Sequence, residues 1–404
     1  MRIVFVNLHC NEFLVKTASK YVFKQAVAMK HRYLLDYLME HPDIEVCSYV
    51  NTNGTSLASS LPSFFMKILR FFRFWESRWI LKKNGLKDKV TILKRIEEIL
   101  PTDILVQYQL YVQKAPELAT VKAYKVMSLL HFFGTEENSE AIKSINPDLI
   151  ICESDLRKNC DIFKKYYSWC TQDILVHPFV AAERFKKMKP FKERVTKVFS
   201  TGTITYKTHL EFLDVYGDPC DQPIRKFVKQ NQESLNNVID CYNSDFAENA
   251  NAKMNIKSSD GRMKRLIKAA YYKFFASQQK SYFSFNMLEK FNDYKMCLIG
   301  EEILGIPGIG FVEGMSCGCA YIGVRGYYED YGMQEGVNYI GYDGSPEDLI
   351  NKIEYYQNPD NAELLESIAV NGYLFAQENF KGNIVAERLM TSIFQNYKRY
   401  LGNE

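Results

Sequence analysis

This chain of 404 residues lacks a strong charge imbalance. Its 51 Lys and Arg against 48 Asp and Glu leave a formal net charge of +3, far below what a dedicated nucleic-acid binder carries. Nucleic acid is therefore not an expected partner. The ten cysteines contain no CxxC pair and no Cys/His cluster at zinc spacing, and several sit in apolar runs such as Ile150-Ile151-Cys152 and Met296-Cys297-Leu298. They read as reduced, buried thiols of a cytosol-like compartment. No run of about 18 apolar residues occurs. Met1-Arg2-Ile3-Val4-Phe5-Val6-Asn7 starts a strand at once, without the basic-then-apolar build of a signal peptide. These absences imply a cytoplasmic protein that does not span a membrane. No internal repeat of short period is present either.

What is there is ordinary globular material, 47% apolar and 25% charged. Single cores stop growing near roughly 250–300 residues, so two domains are expected. Short apolar strands at 3–6, 44–49, 104–108, 125–130, 149–152 and 174–176 alternate with helical patterns around 20–40, 94–100, 137–145 and 156–167. Such alternation builds a parallel sheet with helices on both faces. A second cycle follows the polar stretch 183–197, opening on a strand at 198–203 that runs into a turn at Gly202. The middle, 214–281, is polar over 231–255 and basic and helical over 263–275. Regularity returns with strands at 294–300, 320–324 and 339–342 and two helices from 346 to about 400. The expected domains are 1–190 and 191–380, with a terminal helix near 381–404 packing back on the first. Open sheets of this class bind ligands outside the strand C-termini.

One segment concentrates the signal: Gly305-Ile306-Pro307-Gly308-Ile309-Gly310-Phe311-Val312-Glu313-Gly314-Met315-Ser316-Cys317-Gly318. Gly305, Gly308, Gly310 and Gly314 allow close backbone approach and positive φ. A helix starting near Gly310 would aim its amides and dipole at a diphosphate, and Glu313 on its first turn could accept hydrogen bonds from sugar hydroxyls. The alternative is that the glycines only permit tight helix–strand packing and that Glu313 is a surface acid.

This segment resembles the C-terminal domain of retaining family-4 glycosyltransferases, whose pattern is roughly E-G-F-G-x-x-x-x-E-A-M-A-C-G-x-P-V-I. Gly308 matches its second glycine, Glu313 its second glutamate, Gly314-Met315-Ser316-Cys317-Gly318 the A-M-A-C-G, and Ala320-Tyr321-Ile322-Gly323 the following strand. The likeness continues through Tyr339-Ile340-Gly341 to Pro346-Glu347-Asp348-Leu349 and is confined to 305–349. It implies an α/β protein of the GT-B type, two Rossmann-like domains with a central cleft, binding a nucleotide-sugar donor through Gly308, Ile309, Gly310, Phe311 and Glu313. The family's first glutamate, which holds the donor sugar, is Gly305 here. A shifted loop would bring Glu302 into that role; otherwise Glu301 and Glu302 form a solvated strand-to-loop junction.

No D-x-D stands in a strand-end context, so no metal is expected and basic groups should neutralise the leaving diphosphate. The family's G-R turn is Gly202-Thr203 here, with Lys207 following. Arg225 could supply the guanidinium that Thr203 lacks. Lys207 and Arg225 are the favoured donor-site cations, with surface charge as the other reading. Lys290 and Lys295, beside aromatics, are weaker candidates.

In the first half, strand 125–130 delivers His131 at its C-terminus, and the residue resembles the family histidine that contacts the donor sugar. Glu153-Ser154 and His177-Pro178 follow two further strands, and His177 could be a mere linker residue. Asn7, Leu8 and His9 follow the first strand without the family's Gly-Gly turn. Same-face retaining transfer, as usually described for the family, requires no side-chain nucleophile, which fits the absence of a clear carboxylate pair.

The segment 64–83, opening on Phe64, is unusual. Phe65, Ile68, Phe72, Trp75 and Trp79 recur at helical spacing, and Lys67, Arg70, Arg73, Arg78, Lys82 and Lys83 are opposed by Glu76 alone. It suits a peripheral membrane contact for a lipid-linked acceptor, or else an amphipathic helix on the first sheet with a solvated basic face.

The expected activity is retaining transfer of a hexose to a glycan, glycolipid or glycoprotein acceptor, with no cofactor besides the donor. The resemblance favours GDP-mannose over UDP-sugars. The alternatives are a nucleotide- or sugar-binding homologue without turnover and a UDP-sugar-dependent or inverting enzyme, and a homodimer is left open.

Overall fold

The computed structural model describes residues 1–11, 13–14, 29–51, 63–108, 115–130, 132, 134–245, 261–271 and 285–402. The chain forms two compact units, one comprising Met1–Asp155, Ile162–His177 and Val385–Glu404, the other Leu156–Asp161 and Pro178–Ile384. Both are Rossmann-like α/β units built on one parallel sheet.

The first sheet contains β1 (Arg2–Val6), β2 (Glu45–Tyr49), β3 (Val90–Leu93), β4 (Ile104–Gln107), β5 (Tyr124–Ser128), β6 (Leu149–Cys152) and β7 (Ile174–Val176), in the order β3-β2-β1-β4-β5-β6-β7. Central strands of such a sheet are covered on both faces and therefore read as unbroken apolar runs. In β1, Ile3, Val4, Phe5 and Val6 are all buried. Helices α1 (Arg32–Glu40), α2 (Ser63–Lys83) and α3 (Glu136–Ile145) belong to this unit. Thr135 caps α3 by accepting from the Asn138 amide. Two short helices, α4 (Leu156–Asn159) and α5 (Asp161–Tyr166), follow β6.

The second sheet contains β8 (Val195–Ile204), β9 (Ile239–Asp245), β10 (Tyr294–Leu298), β11 (Ala320–Val324) and β12 (Ile340–Tyr342), ordered β12-β11-β10-β8-β9. Its helices are α6 (Leu210–Tyr216), α7 (Pro223–Gln230), α8 (Arg262–Tyr271), α9 (Met287–Asp293), α10 (Gly310–Ser316), α11 (Pro346–Gln357) and α12 (Ala362–Asn379); α13 (Gly382–Gly402) closes the chain. From β8 the chain steps to β9 on one side and resumes at β10 on the other. The reversal creates a topological switch point between the C-terminal ends of β8 and β10, where doubly wound sheets hold ligands.

Several sequence expectations need correction. Strands β3 and β9 went unread. β9, Ile239-Asp240-Cys241-Tyr242-Asn243-Ser244-Asp245, is an edge strand mostly half-exposed, so it carries no apolar run. The helix expected at 94–100 is a single 3-10 turn at Ile96–Glu98. No turn occurs at Gly202, because β8 continues to Ile204. The stretch 183–197 is not a free connection: Phe185 packs in one core cluster of the second unit with Phe291 and Phe311, and Phe191 in another with Val198 and Met296. The units accordingly divide at His177/Pro178. In the first unit, Ala386, Leu389, Met390, Ile393 and Tyr397 of α13 join the core, and Tyr397 donates to the Thr102 carbonyl at 2.8 Å.

Candidate functional site

The switch point of the second unit is built around Arg225. Helix α7 starts on Pro223 and buries Ile224, Arg225 and Val228 on one side, which drives the Arg225 side chain under the strand ends. Its Nε donates to the Ile299 carbonyl (2.5 Å), one terminal nitrogen to the Thr203 carbonyl (2.7 Å) and the other to the Gly300 carbonyl (2.8 Å). One rigid fork thus ties the end of β8 to the loop after β10. Glycines make room for it. A Cβ on Gly202 would stand 2.6 Å from Nε, one on Gly300 3.1 Å from Cγ and one on Gly308 2.8 Å from Nη2. Burial pulls the Arg225 pKa down, opposed chiefly by the charges of Glu302 and Glu301; a guanidinium nevertheless stays charged.

Lys207, which the sequence also assigned to the donor, stands with Asp221 rather than alone. Its Nζ is 3.0 Å from Asp221 Oδ2 and 3.9 Å from Glu302 Oε2. Asp221 is nearly buried, and its carbonyl accepts from the Ile303 amide at 2.7 Å. It therefore anchors both the lysine and the loop, a role no sequence pattern signalled.

The loop after β10 begins with two glutamates of opposite fate. Glu301 is not at a solvated junction. It is buried, with Oε1 accepting from the Val324 amide (2.8 Å), Tyr328 (2.5 Å) and Tyr321 (3.2 Å), and Oε2 lying 3.5 Å from the Tyr342 hydroxyl. The Tyr321 and Tyr328 hydroxyls also share a short hydrogen bond. Burial and the Glu301 charge push both tyrosines well above the usual phenol range. Tyrosines in buried strands need hydroxyl partners, which is the one signal in β11 and β12 that could have announced this cage. Glu302 stays partly exposed beside Lys207.

Gly305 closes a tight turn. The Glu302 amide donates to the Ile306 carbonyl and the Gly305 amide to the Glu302 carbonyl, both at 2.9 Å, and Gly305 has φ +74°. A Cβ there would stand 2.5 Å from both the Cβ and the carbonyl oxygen of Asn159. Glycine is required on two counts, so the family glutamate has no place at this position.

Positive φ is not what the other glycines supply. Gly308, Gly310 and Gly314 have no positive φ. Cβ atoms would meet Ile299 at 2.7 Å from Gly308 and at 2.8 Å from Gly310, and Cys297 Sγ at 2.5 Å from Gly314. Tight packing of α10 and of the loop before it against β10 and Ile299 is therefore a reason for all three. Gly308 and Ile309 remain partly exposed, as does Glu313 in the first turn of α10. Phe311 is a core residue, 5.5 Å from the rings of Tyr321 and Phe380 and stacked 5.8 Å from Tyr331. Its amide donates to the Gly308 carbonyl, so a donor contact by Phe311 is not supported. Lys290 and Lys295 lie over rings, Lys290 4.9 Å from Tyr242 and Lys295 5.7 Å from Phe191, which is packing.

In the first unit His131 lies outside the described residues. His177 is no mere linker: it is buried, with Nε2 2.7 Å from the Tyr33 hydroxyl and 3.2 Å from that of Tyr108. Burial lowers its pKa to about 3. His9 is likewise lowered to about 3, by burial and then by Arg73. Asn7 takes φ +48° where a glycine turn is usual, and its Oδ1 accepts from the Asn51 amide at 2.8 Å. Glu153 and Ser154 are buried at the end of β6. Among the described residues no three His, Cys, Asp or Glu side chains group as a metal site, and no helix is long and apolar enough to cross a membrane.

No family model matches the chain, and no curated protein matches it. Solved structures similar to it include Anabaena Alr3699/HepE in complex with UDP, 12% identical over 98% of this chain and 100% of that chain with a TM-score of 0.45. Sucrose-phosphate synthase from Thermosynechococcus elongatus is 12% identical over 100% of both chains, with a TM-score of 0.47. A glycosyltransferase from Rickettsia africae is 12% identical over 100% of this chain and 99% of that one, with a TM-score of 0.49.

Proposed function

We propose that the chain is a nucleotide-sugar-dependent glycosyltransferase whose second unit holds the donor at the β8/β10 switch point. The observation that carries this reading is the Arg225 guanidinium, buried under Gly202, Gly300 and Gly308 and bonded to the carbonyls of Thr203, Ile299 and Gly300. It places a fixed positive charge where a doubly wound sheet takes its ligand. The diphosphate would rest on the partly exposed residues Gly308 and Ile309, with Lys207 beside it and Glu313 on the ribose. Glu302 takes the donor-sugar role that Gly305 cannot fill.

The reaction is retaining transfer of a hexose, mannose from GDP-mannose, to a glycan, glycolipid or glycoprotein acceptor in the cytoplasm. Fixed cations and backbone donors stabilise the leaving diphosphate without a metal. Calorimetry with GDP-, UDP- and dTDP-sugars, followed by a transfer assay with and without EDTA and anomeric analysis of the product, tests each element. Failure of every nucleotide sugar to bind would overturn the reading; binding of UDP-sugars alone would replace the donor, and inversion would replace the mechanism.

A second reading, binding without turnover, is favoured by the pairing of Lys207 with Asp221 and Glu302, which leaves less charge for a diphosphate. Donor binding with no hydrolysis or transfer would select it.

A further inference from the structure

Among the described residues, helix α2 has one apolar face packed in the fold and a second that is exposed. Ser77, Ile80 and Leu81 are buried, and Ile80 and Leu81 belong to the core of the first unit. Ile68, Phe71, Phe72 and Trp75 recur at i, i+3, i+4 and i+7 and are 37%, 59%, 63% and 49% exposed. At the helical period these four centre opposite the core face. The ring of Phe71 lies 5.9 Å from that of Phe72 and 6.0 Å from that of Trp75, one continuous aromatic strip.

Cations border the strip. The Arg78 guanidinium lies 5.7 Å from the Trp75 ring and Lys83 Nζ 5.7 Å from the Trp79 ring, and Lys82 is exposed. Glu76, the one acid of the helix, pairs with Arg73 at 3.2 Å. Arg78 also lines a cavity of about 280 Å³ between α2 and the edge strand β3, with Phe74, Leu81 and Ile92 as its apolar wall and Lys87 and Asp88 as further polar groups.

The charge decides among occupants. A second copy docking strip to strip about a twofold axis would bring two sets of like cations together. An anionic bilayer accepts aromatic rings at headgroup depth and lysine and arginine among its phosphates at the same time. We propose that α2 docks the protein on an anionic lipid surface, with Ile68, Phe71, Phe72 and Trp75 inserted and Arg78, Lys82 and Lys83 at the headgroups. The surface belongs to the first unit, whereas the donor-site residues of the β8/β10 switch point belong to the second, so either conclusion can fail alone.

Sedimentation of the full chain with phosphatidylglycerol-containing vesicles, and with pure phosphatidylcholine vesicles, tests it. Binding is expected to the anionic vesicles only, weakening as salt rises. The doubly exposed-site variant Phe72→Ser/Trp75→Ser, which alters no core residue, should weaken it by about tenfold or more, with circular dichroism and donor binding unchanged. Absence of binding by the folded wild type, or binding undiminished in the variant, overturns the proposal. A variant that turns a dimer into a monomer while binding vesicles as before overturns it too, and assigns the strip to a second copy.

Discussion

Gly202 and Arg225 share one space: a Cβ on the glycine would stand 2.6 Å from Nε of the arginine. Gly202 sits inside β8 at φ +149°, a backbone state that L side chains rarely adopt. The glycine is thus a clearance for the guanidinium, and the two positions should fail together. Gly202→Ala is expected to destabilise by about 2–3 kcal/mol through backbone strain and displacement of Arg225. Urea unfolding measures it, and a double-mutant cycle with Arg225→Lys should show strong non-additivity.

Arg225→Lys keeps the charge but cannot span three carbonyls with one ammonium. Nucleotide-sugar affinity should fall by about tenfold or more, and each carbonyl left without a donor costs about 1–3 kcal/mol. Calorimetry and thermal unfolding read the two effects separately.

The Lys207–Asp221 pair predicts opposite signs for its two members. Lys207→Ala should weaken donor binding, whereas Asp221→Asn removes the competing carboxylate and should tighten binding of a nucleoside diphosphate. Titrating both variants with GDP and UDP checks this. Equal weakening by the two would show that the pair serves only to hold the loop.

Placing the glutamate of the resembled pattern at position 305 should do harm. Gly305→Glu puts a side chain at φ +74° against Asn159, for a loss of about 3 kcal/mol or more. Glu302→Ala, on a partly exposed side chain, should leave the unfolding midpoint near wild type and lower turnover by about a hundredfold. A stable Gly305→Glu variant with raised turnover would contradict the proposed role of Glu302.

His177 and His9 make stability depend on acid. Both have folded-state pKa values lowered to about 3 from 6.5, so between these limits the unfolded chain binds more protons. Stability should fall as pH drops from 6.5 toward 3, by up to about 1.4 kcal/mol per pH unit for each histidine. Urea titrations at pH 7.5, 6 and 5 would show the slope, and His177→Gln, which keeps an acceptor for Tyr33 and Tyr108, should reduce it.

The α/β class was legible because Ile3-Val4-Phe5-Val6, Leu149-Ile150-Ile151-Cys152 and Ala320-Tyr321-Ile322 are strands covered on both faces, which need unbroken apolar runs. Edge strand β9 faces water along much of its length, and so had no such run to read. The glycine loop was legible as a loop, but the choice between close approach to a ligand and tight packing stayed open at Gly308, Gly310 and Gly314. A sequence cannot say whether a missing Cβ makes room for a ligand, for Ile299 or for Cys297 Sγ.

By itself the sequence determined the alternation of strand and helix, the place of the β10–α10 loop at a strand C-terminus, and the cationic aromatic character of α2, because these follow from local periodicity and chain order. Tertiary structure alone decided that Arg225 reaches Thr203, Ile299 and Gly300, that Asp221 pairs with Lys207, that Glu301 is caged by tyrosines from β11 and β12 and a residue of the turn between them, and that Gly305 must stay glycine against Asn159. Each is a contact between residues distant in the chain. Its free energy depends on burial and on distances of a few ångströms, quantities that exist only once the sheet has brought the strand ends together.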